Sequence, residues 1–455
     1  MNLEAGAVPR PAARAATASV WISVALAAAL SAVLGAVAAD ARWLAALGAY
    51  VVRQGSIPDF VPFAAAPTHG WPNVPVLGEL VFHALDAVGG DRALLGAQVA
   101  AVTLAFSLLA ADARRARADD SRTTLVLLLL IPATLAELAN VRSQLFSIAV
   151  FPLLVLLLRA EARRPSRRVW LVVPLIALWS NLHGAVLTGL AVAAAYLLFE
   201  RARREALLAV CVLAASVLAV FATPALWRTG DYYAGVLRNE AARRGIGLWA
   251  PLSPTSTLDL AFVVCAVAIA FAALRSRPRL WELVALAGLA LLTARTARGG
   301  IWLVFFAATP AALGLGPGGN ARMRLALPVV AVLLGLAVLG IAQGPRQLGA
   351  GDDVLGRALA DADGTPVLAT DILAEQVAHA GGRVWIGNPI DAFSRRDQRL
   401  YLDWLQGKPG GDAALEHAPR VVLVRPDSAA AKRLARRGTL REVARDDGAV
   451  LYERR

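Results

Sequence analysis

Residues 92–117 read RALLGAQVAAVTLAFSLLAADARRAR, an apolar run that is followed at once by a cluster of arginines. An α-helix needs about 20 mainly apolar residues to cross the hydrocarbon core of a bilayer. Short cytoplasmic loops carry an excess of Lys and Arg. The stretch therefore predicts a transmembrane helix whose C-terminal end faces the cytoplasm.

The composition indicates an α-helical polytopic membrane protein, because 58% of the 455 residues are hydrophobic and only 17% are charged. Soluble domains carry about 25% charged residues. By the same length criterion we predict about eleven transmembrane helices, at 18–38, 92–111, 123–140, 144–159, 169–182, 184–199, 204–223, 257–275, 280–296, 299–315 and 323–343. The fifth and sixth could instead form one long helix.

Clusters of arginine determine the predicted orientation. They precede the first crossing and follow every even-numbered one, at Arg10, Arg14, Arg114, Arg115, Arg117, Arg163, Arg164, Arg167, Arg168, Arg201, Arg203, Arg204, Arg275, Arg277, Arg279, Arg322 and Arg324. With these clusters in the cytoplasm, the tail 1–17 lies inside and the segment 344–455 lies outside. The transmembrane domain then spans 18–343, with its largest outside loop at 39–91. The first run could be a signal peptide, but it is long for one, and we interpret it as an uncleaved anchor.

From about residue 345 the pattern changes to that of a small α/β domain. Short β-like runs at 365–370, 383–386, 420–424 and 449–452 alternate with helical patterns at 371–380, 393–406 and 427–437. Such alternation is typical of a mostly parallel sheet. The segment has no glycine-rich phosphate loop and no nucleophile elbow. We interpret it as an extracytoplasmic lid or docking domain.

Net charge and cysteine content exclude some classes of partner. The formal net charge of +13 does not indicate nucleic acid, because the arginines lie in short loops between apolar runs. Both cysteines lie within apolar runs and predict neither a disulfide nor a thiolate metal site. The histidines have no metal-ligand spacing. We predict no such metal site, although Asp40, Asp59 or Glu79 could hold a divalent cation.

A carboxylate stands at the mouth of the predicted helix bundle. Asp40 directly follows the first crossing, three residues before Trp43. A carboxylate held at the membrane surface can act as a general base on an incoming hydroxyl. The alternative is that Asp40 only caps or solvates a helix end.

Arginines also occur at the predicted outside ends of helices, against the usual charge bias, at Arg142, Arg228, Arg295 and Arg298. Ionisable groups near membrane depth are costly unless they have a role or a partner. A guanidinium binds phosphate through two parallel hydrogen bonds, so these arginines indicate a lipid-linked phosphate. The alternatives are that they reach the lipid headgroups or pair with carboxylates such as Asp40 or Glu79.

Short motifs of polar and aromatic residues are spread along the chain, at Asp40-x-x-Trp43, Gly48, Gly55–Pro58, Trp71–Asn73, Leu77–Glu79, Arg142–Ser147, Trp179–Gly184 and Val384–Phe393. Together they resemble a bacterial family of multi-spanning membrane proteins related to the GT-C glycosyltransferases. The resemblance covers nearly the whole chain. The chain departs from the family pattern at Ala38, at Leu44, at Val61–Ala64 and at Gly387–Pro389, where relatives have Asp, His, Asp-Pro-Phe-Ser and Asp-Gly-Arg.

The resemblance implies a GT-C-like fold and an inverting transfer of a sugar from a polyprenyl-phosphate donor. The implied acceptor is a cell-envelope glycan or protein at the outer face of the bacterial cytoplasmic membrane. Asp40 would be the catalytic base, and Arg142, Arg295 or Arg298 would neutralise the phosphate. The implied substrate-binding residues are Trp43, Glu79, Arg142, Gln144, Asn181, His183, Arg295 and Arg298.

Two other classes of function stay open. A non-catalytic scaffold or assembly factor of the cell envelope would explain the missing family acids, but not the retained Arg142, Asn181 and His183. A lipid transporter would need polar sites near the middle of the membrane. The polar clusters of this chain lie at predicted helix ends, which makes a transporter the weakest of the three hypotheses.

Overall fold

The computed structural model describes residues 11–37, 40–315, 326–417, 420–437 and 440–454. The helices are, in chain order, α1 (Pro11–Leu34), α2 (Ala41–Gln54), α3 (Val76–Arg115), α4 (Asp120–Ala133), α5 (Leu135–Ala139), α6 (Gln144–Arg163), α7 (Val172–Ser180), α8 (Val186–Phe199), α9 (Ala206–Ala219), α10 (Thr229–Arg238), α11 (Glu240–Arg244), α12 (Thr257–Arg275), α13 (Leu280–Arg295), α14 (Gly300–Gly314), α15 (Ala326–Gln343), α16 (Asp352–Ala362), α17 (Asp371–His379), α18 (Arg395–Leu405) and α19 (Ala429–Arg437). The strands are β1 (Ala36–Val37), β2 (Asn140–Val141), β3 (Leu368–Ala369), β4 (Val421–Val424), β5 (Leu440–Arg445) and β6 (Val450–Arg454).

The apolar helices confirm the predicted polytopic membrane fold. A helix coincides with each predicted crossing, in the order α1, α3, α4, α6, α7, α8, α9, α12, α13, α14 and α15. Four segments are by themselves long and apolar enough to cross a bilayer, namely Val76–Arg115, Gln144–Arg163, Thr257–Arg275 and Ala297–Gly314. The fifth and sixth crossings are separate helices, as predicted. Arg10, Ala38, Arg322 and Arg324 lie outside the described residues.

The largest predicted outside loop contains two helical segments that the sequence pattern did not predict. α2 and the first half of α3 pack against each other, and α3 is kinked at Gly90 before its second half continues into the bundle. Every residue of α2 from Ala41 to Gly48 is buried, including Trp43. The two segments approach closely because Gly48 has no side chain: a Cβ atom there would lie 2.2 Å from the carbonyl oxygen of Glu79.

A short parallel ladder links the end of the first crossing to the segment before α6. β1 pairs with β2, with Val37 beside Val141. Residues that follow two parallel strands emerge at the same edge of the ladder. The ladder therefore brings Asp40 close to Arg142, although the two are distant in sequence.

The C-terminal α/β domain is present, but the prediction of a mostly parallel sheet is wrong. The strand order is β3-β4-β6-β5, with β3 and β4 parallel and the other two pairs antiparallel. A tight turn at 446–449 joins β5 to β6, and strands joined by so short a turn must be antiparallel. The predicted strand 383–386 has isolated bridges from Val384 to Ala64 and Val367. α16 is a further helix that the sequence pattern did not predict.

An apolar core joins the C-terminal domain to α2. Trp43 and Leu47 of α2 belong to the same buried cluster as Leu373 and Val377 of α17. Burial of apolar surface is the main favourable term in such a contact. α17 is therefore held against α2, next to Asp40, the residue that precedes α2.

Candidate active site

Asp40 precedes α2 but does not cap it. Its φ angle is 80°, and its side chain makes no capping hydrogen bond to any described residue of the helix. The carboxylate instead faces side chains from other segments: Oδ2 lies 3.4 Å from Nη2 of Arg142, and Oδ1 accepts a 2.7 Å hydrogen bond from Asn388. A carboxylate oxygen has two lone pairs, so Asp40 keeps capacity to accept a proton from a further group.

The Asp40 side chain lines a cavity of about 280 Å³ between the helix bundle and the C-terminal domain. Six predicted site residues line this cavity: Asp40, Trp43, Glu79, Arg142, His183 and Arg298. Three other predicted site residues lie outside the lining. Gln144 is buried at the start of α6, Asn181 donates to the carbonyls of Ala177 and Ala222, and Arg295 lies on the exposed end of α13.

One part of the cavity wall is basic. Arg142 and Arg298 both line it, and the Arg298 guanidinium lies 5.1 Å from the ring centre of Trp249. Within the described part of the chain, no carboxylate lies within ion-pair distance of Arg298. Burying a charge without a counter-ion is costly. This part of the wall is therefore suited to an anionic group.

His183 contributes a neutral hydrogen-bond donor to the cavity wall. The indole Nε1–H of Trp179 donates to Oγ of Ser147 (2.6 Å), so the Ser147 hydroxyl hydrogen is available to His183 Nδ1, also at 2.6 Å. The backbone N–H of Ala185 points to the same Nδ1 atom at 3.4 Å. With Nδ1 used as an acceptor, the neutral imidazole carries its proton on Nε2.

The opposite part of the wall combines indoles and carboxyl groups. Glu79 is fully buried and accepts a 2.9 Å hydrogen bond from Asn73, while Asp391 lies 3.4 Å from the indole Nε1 of Trp71. Burial raises the pKa of Asp391 to about 6, against smaller opposite effects of a backbone hydrogen bond and of Trp71. Such a mixture of flat apolar faces and acceptors fits a polyhydroxylated ring.

Three buried polar atoms of side chains that line this cavity have no hydrogen-bond partner among the residues that the structure describes: Trp43 Nε1, Glu79 Oε1 and Arg142 Nε. Most buried polar atoms in proteins are hydrogen-bonded. These three atoms are therefore available to a polar ligand in the cavity.

Some site residues were missed by the sequence analysis. Asn388 and Asp391 come from the C-terminal domain, and Tyr232 and Trp249 come from the segment between α9 and α12. Glu375 of α17 lies behind Asp40 and accepts hydrogen bonds from its backbone N–H. The only available signal was that Asn388 stands where the family pattern has other residues.

The described residues contain no group of three or more His, Cys, Asp or Glu side chains arranged to hold a metal ion. Asp40 and Glu79 line the cavity, whereas Asp59 is exposed and outside its lining. A divalent cation at these carboxylates stays a prediction.

Comparisons with known proteins bear on the fold. No family model matches the chain, and no curated protein sequence matches it. The crystal structure of ArnT from Cupriavidus metallidurans in the apo state is similar, with a TM-score of 0.51 and 17% identity over 95% of this chain and 97% of that one. ArnT of the same organism bound to undecaprenyl phosphate gives a TM-score of 0.49 at 15% identity, over the same shares of the two chains. Over nearly its whole length, the chain therefore has a fold similar to that of ArnT.

Proposed function

We propose that the protein is a membrane glycosyltransferase that moves a sugar from a polyprenyl-phosphate donor to a cell-envelope acceptor. The observation that carries the proposal is one cavity in which a carboxylate, Asp40, faces two guanidinium groups, Arg142 and Arg298. Glycosyl transfer to a hydroxyl needs a base for the acceptor proton and positive charge for the departing phosphate. The GT-C-type fold supports the same reaction class by analogy.

The roles follow from the chemistry of each side chain. Asp40 removes the proton of the acceptor hydroxyl as its oxygen bonds to the anomeric carbon. The bond between that carbon and the phosphate oxygen breaks, and both electrons leave with the phosphate. Arg298, Arg142 and the Nε2–H of His183 stabilise the phosphate, because fixed donors lower the energy of the charge that develops there. One attack by the acceptor inverts the anomeric centre.

The remaining walls suit the other parts of the two substrates. Trp43, Trp71 and Asp391 would contact the sugar. Apolar residues on the bundle side, such as Leu187 and Leu292, would contact the first units of the polyprenyl chain. This arrangement defines the donor class by its phosphate and its lipid.

The distribution of arginines supports transfer at the outer face. The cavity lies at the N-terminal end of α6, whose other end carries Arg163. Arg114 and Arg115 end α3, and Arg279 precedes α13 at the end of that helix farther from Arg298. If the arginine-rich side is cytoplasmic, the cavity and the C-terminal domain are extracytoplasmic, with the N-terminus inside.

The test is release of polyprenyl phosphate by the purified protein in nanodiscs offered a panel of polyprenyl-phosphate sugars. We expect Asp40→Asn to reduce release by about 100- to 10,000-fold, the usual range for loss of a general base. Asp353→Asn, an exposed carboxylate of α16, is the matched control and should release lipid as the wild type does.

Two outcomes would change the proposal. Equal release by wild type and Asp40→Asn would keep the enzyme and remove Asp40 from its mechanism. Absence of both release and binding of the same lipids, measured by native mass spectrometry, would favour the scaffold hypothesis.

A further inference from the structure

The backbone of Asp40 is held by a carboxyl group of the C-terminal domain. The N–H of Asp40 donates to both side-chain oxygens of Glu375, at 2.9 and 2.8 Å. Glu375 belongs to α17 and is only 3% exposed. A fully buried acidic side chain is rare unless it is paired or serves a function, and this one contacts the residue that carries the proposed base.

The Asp40 backbone conformation needs such support. A φ angle of 80° is in the left-handed region, which disfavours residues with a Cβ atom. This conformation turns the Asp40 side chain away from the first turn of α2, where an Asp in this position usually accepts a backbone hydrogen bond. The carboxylate is thereby free to face the cavity and Arg142.

Asn388 links the same two acidic residues. Its Nδ2 atom donates to Oδ1 of Asp40 at 2.7 Å and to Oε1 of Glu375 at 3.0 Å. Glu375 and Asn388 both belong to the C-terminal domain: Glu375 contacts the Asp40 backbone, and Asn388 contacts the Asp40 carboxylate, which Arg142 and Ser143 of the helix bundle also contact. The positive charge of Arg42 in α2 acts on the Glu375 carboxyl group, but Arg42 itself pairs with Asp91 at 2.8 Å.

We propose that Glu375 is a positioning residue that, together with Asn388, holds Asp40 in the conformation in which its carboxylate acts as the base. The inference rests on the proposed glycosyl transfer. It adds that the reaction depends on the docked C-terminal domain, because this domain both covers the cavity and holds Asp40 in position. Burial, and then the charge of Asp40, raise the pKa of Glu375 to about 8. A neutral carboxyl group at neutral pH holds the N–H without placing a second full negative charge beside the base.

The test compares three variants in nanodiscs. Glu375→Ala removes both acceptors, and we expect kcat to fall about 100-fold, because misplacement of a reacting group by about 1 Å has that effect. KM for the donor lipid should stay within about threefold, since the phosphate and the lipid contact other residues. Glu375→Gln keeps one acceptor in a neutral side chain and should remain within about tenfold of wild type.

Gln376→Ala provides the matched control. Gln376 is the next residue of α17 and is also buried, but its side chain bonds to the backbone N–H and carbonyl of Ala350, inside the C-terminal domain. It should weaken the domain without changing kcat. Equal loss in Gln376→Ala and Glu375→Ala would overturn the proposal, as would a Glu375→Ala protein with wild-type kcat or with a change confined to KM.

A second readout does not depend on turnover. The backbone amide of Asp40 should exchange with deuterium faster in Glu375→Ala than in wild type or Gln376→Ala, because it loses its acceptor. If wild type transfers no sugar but the Asp40 amide still exchanges faster in Glu375→Ala than in wild type, the contact is supported and only the proposed function is refuted. Unchanged exchange in Glu375→Ala would refute the positioning role even in an active enzyme.

Discussion

Replacement of Arg298 by methionine should stabilise the protein while it weakens binding of the lipid phosphate. The Arg298 side chain is half-buried and lines the cavity, and its guanidinium lies 5.1 Å from the ring centre of Trp249. Burying an unpaired charge costs several kcal/mol, of which the ring contact returns about 1 kcal/mol. With partial hydration in the cavity, we expect Arg298→Met to raise the free energy of unfolding by about 1–3 kcal/mol.

The same variant should lose the stabilisation that the ligand gives. A ligand at 100 times its Kd adds about 2.7 kcal/mol to the free energy of unfolding. Loss of one charge-assisted guanidinium–phosphate contact weakens binding by about 10- to 100-fold. In nanodiscs, wild type should therefore gain in Tm when polyprenyl phosphate is added, whereas Arg298→Met should start from a higher Tm and gain little.

Arg295→Met is the matched control, because Arg295 precedes Arg298 by three positions, is exposed and does not line the cavity. It should leave both the basal Tm and the gain with lipid unchanged. A lower basal Tm in Arg298→Met would mean that this guanidinium stabilises the fold. An undiminished gain with lipid would mean that the phosphate binds elsewhere.

Two further predictions concern stability. The pKa of Asp391 is raised to about 6, so the folded state loses stability as pH rises from about 4, the unfolded pKa, to about 6. Asp391→Asn should therefore be about 1–3 kcal/mol more stable than wild type in thermal unfolding at pH 7.5 and equally stable at pH 4. Equal stability of the two proteins at both pH values would contradict the raised pKa. Gly48→Ala places a Cβ 2.2 Å from the Glu79 carbonyl oxygen and should cost about 1–3 kcal/mol. Gly288→Ala in α13, where nothing lies within 4 Å of the added Cβ, should instead stabilise the protein by up to about 1 kcal/mol. If Gly48→Ala has no cost, α2 can shift to admit the methyl group.

The membrane fold could be predicted from the sequence because the length of an apolar run and the position of arginines are local properties. The helical segments within residues 39–91 were harder to predict. α2 is short and amphipathic, and Trp43 and Leu47 are buried by the C-terminal domain rather than by lipid. The prediction of the sheet topology was wrong for a related reason. The position of β6 between β4 and β5 depends on tertiary packing, which the alternation of strands and helices along the sequence does not specify.

The residues of the candidate site also differ in whether a local sequence pattern could predict them. Asp40, Arg142 and His183 could be identified because each stands in a short motif at a predicted helix end. Glu375 and Asn388 could not, because they are 335 and 348 positions from Asp40 and no local pattern marks them. Asn388 was visible only as a departure from a family pattern, and its contact with Asp40 gives that departure a chemical meaning.

A comparison of two arginines, Arg159 and Arg298, indicates that the cavity binds an anionic ligand. Arg159 is 4% exposed in its side chain and pairs with Asp112 at 2.7 Å and Glu282 at 3.0 Å, and it also donates to the carbonyl of Phe306. A buried charge with a purely structural role is expected to have such partners, because a buried unpaired charge is costly. Arg298 has no such carboxylate among the described residues, although Asp40 lines the same cavity. The fold thus supplies carboxylate partners for the buried guanidinium of Arg159 but not for that of Arg298. Such a difference is expected if the counter-ion of Arg298 is the phosphate of the substrate.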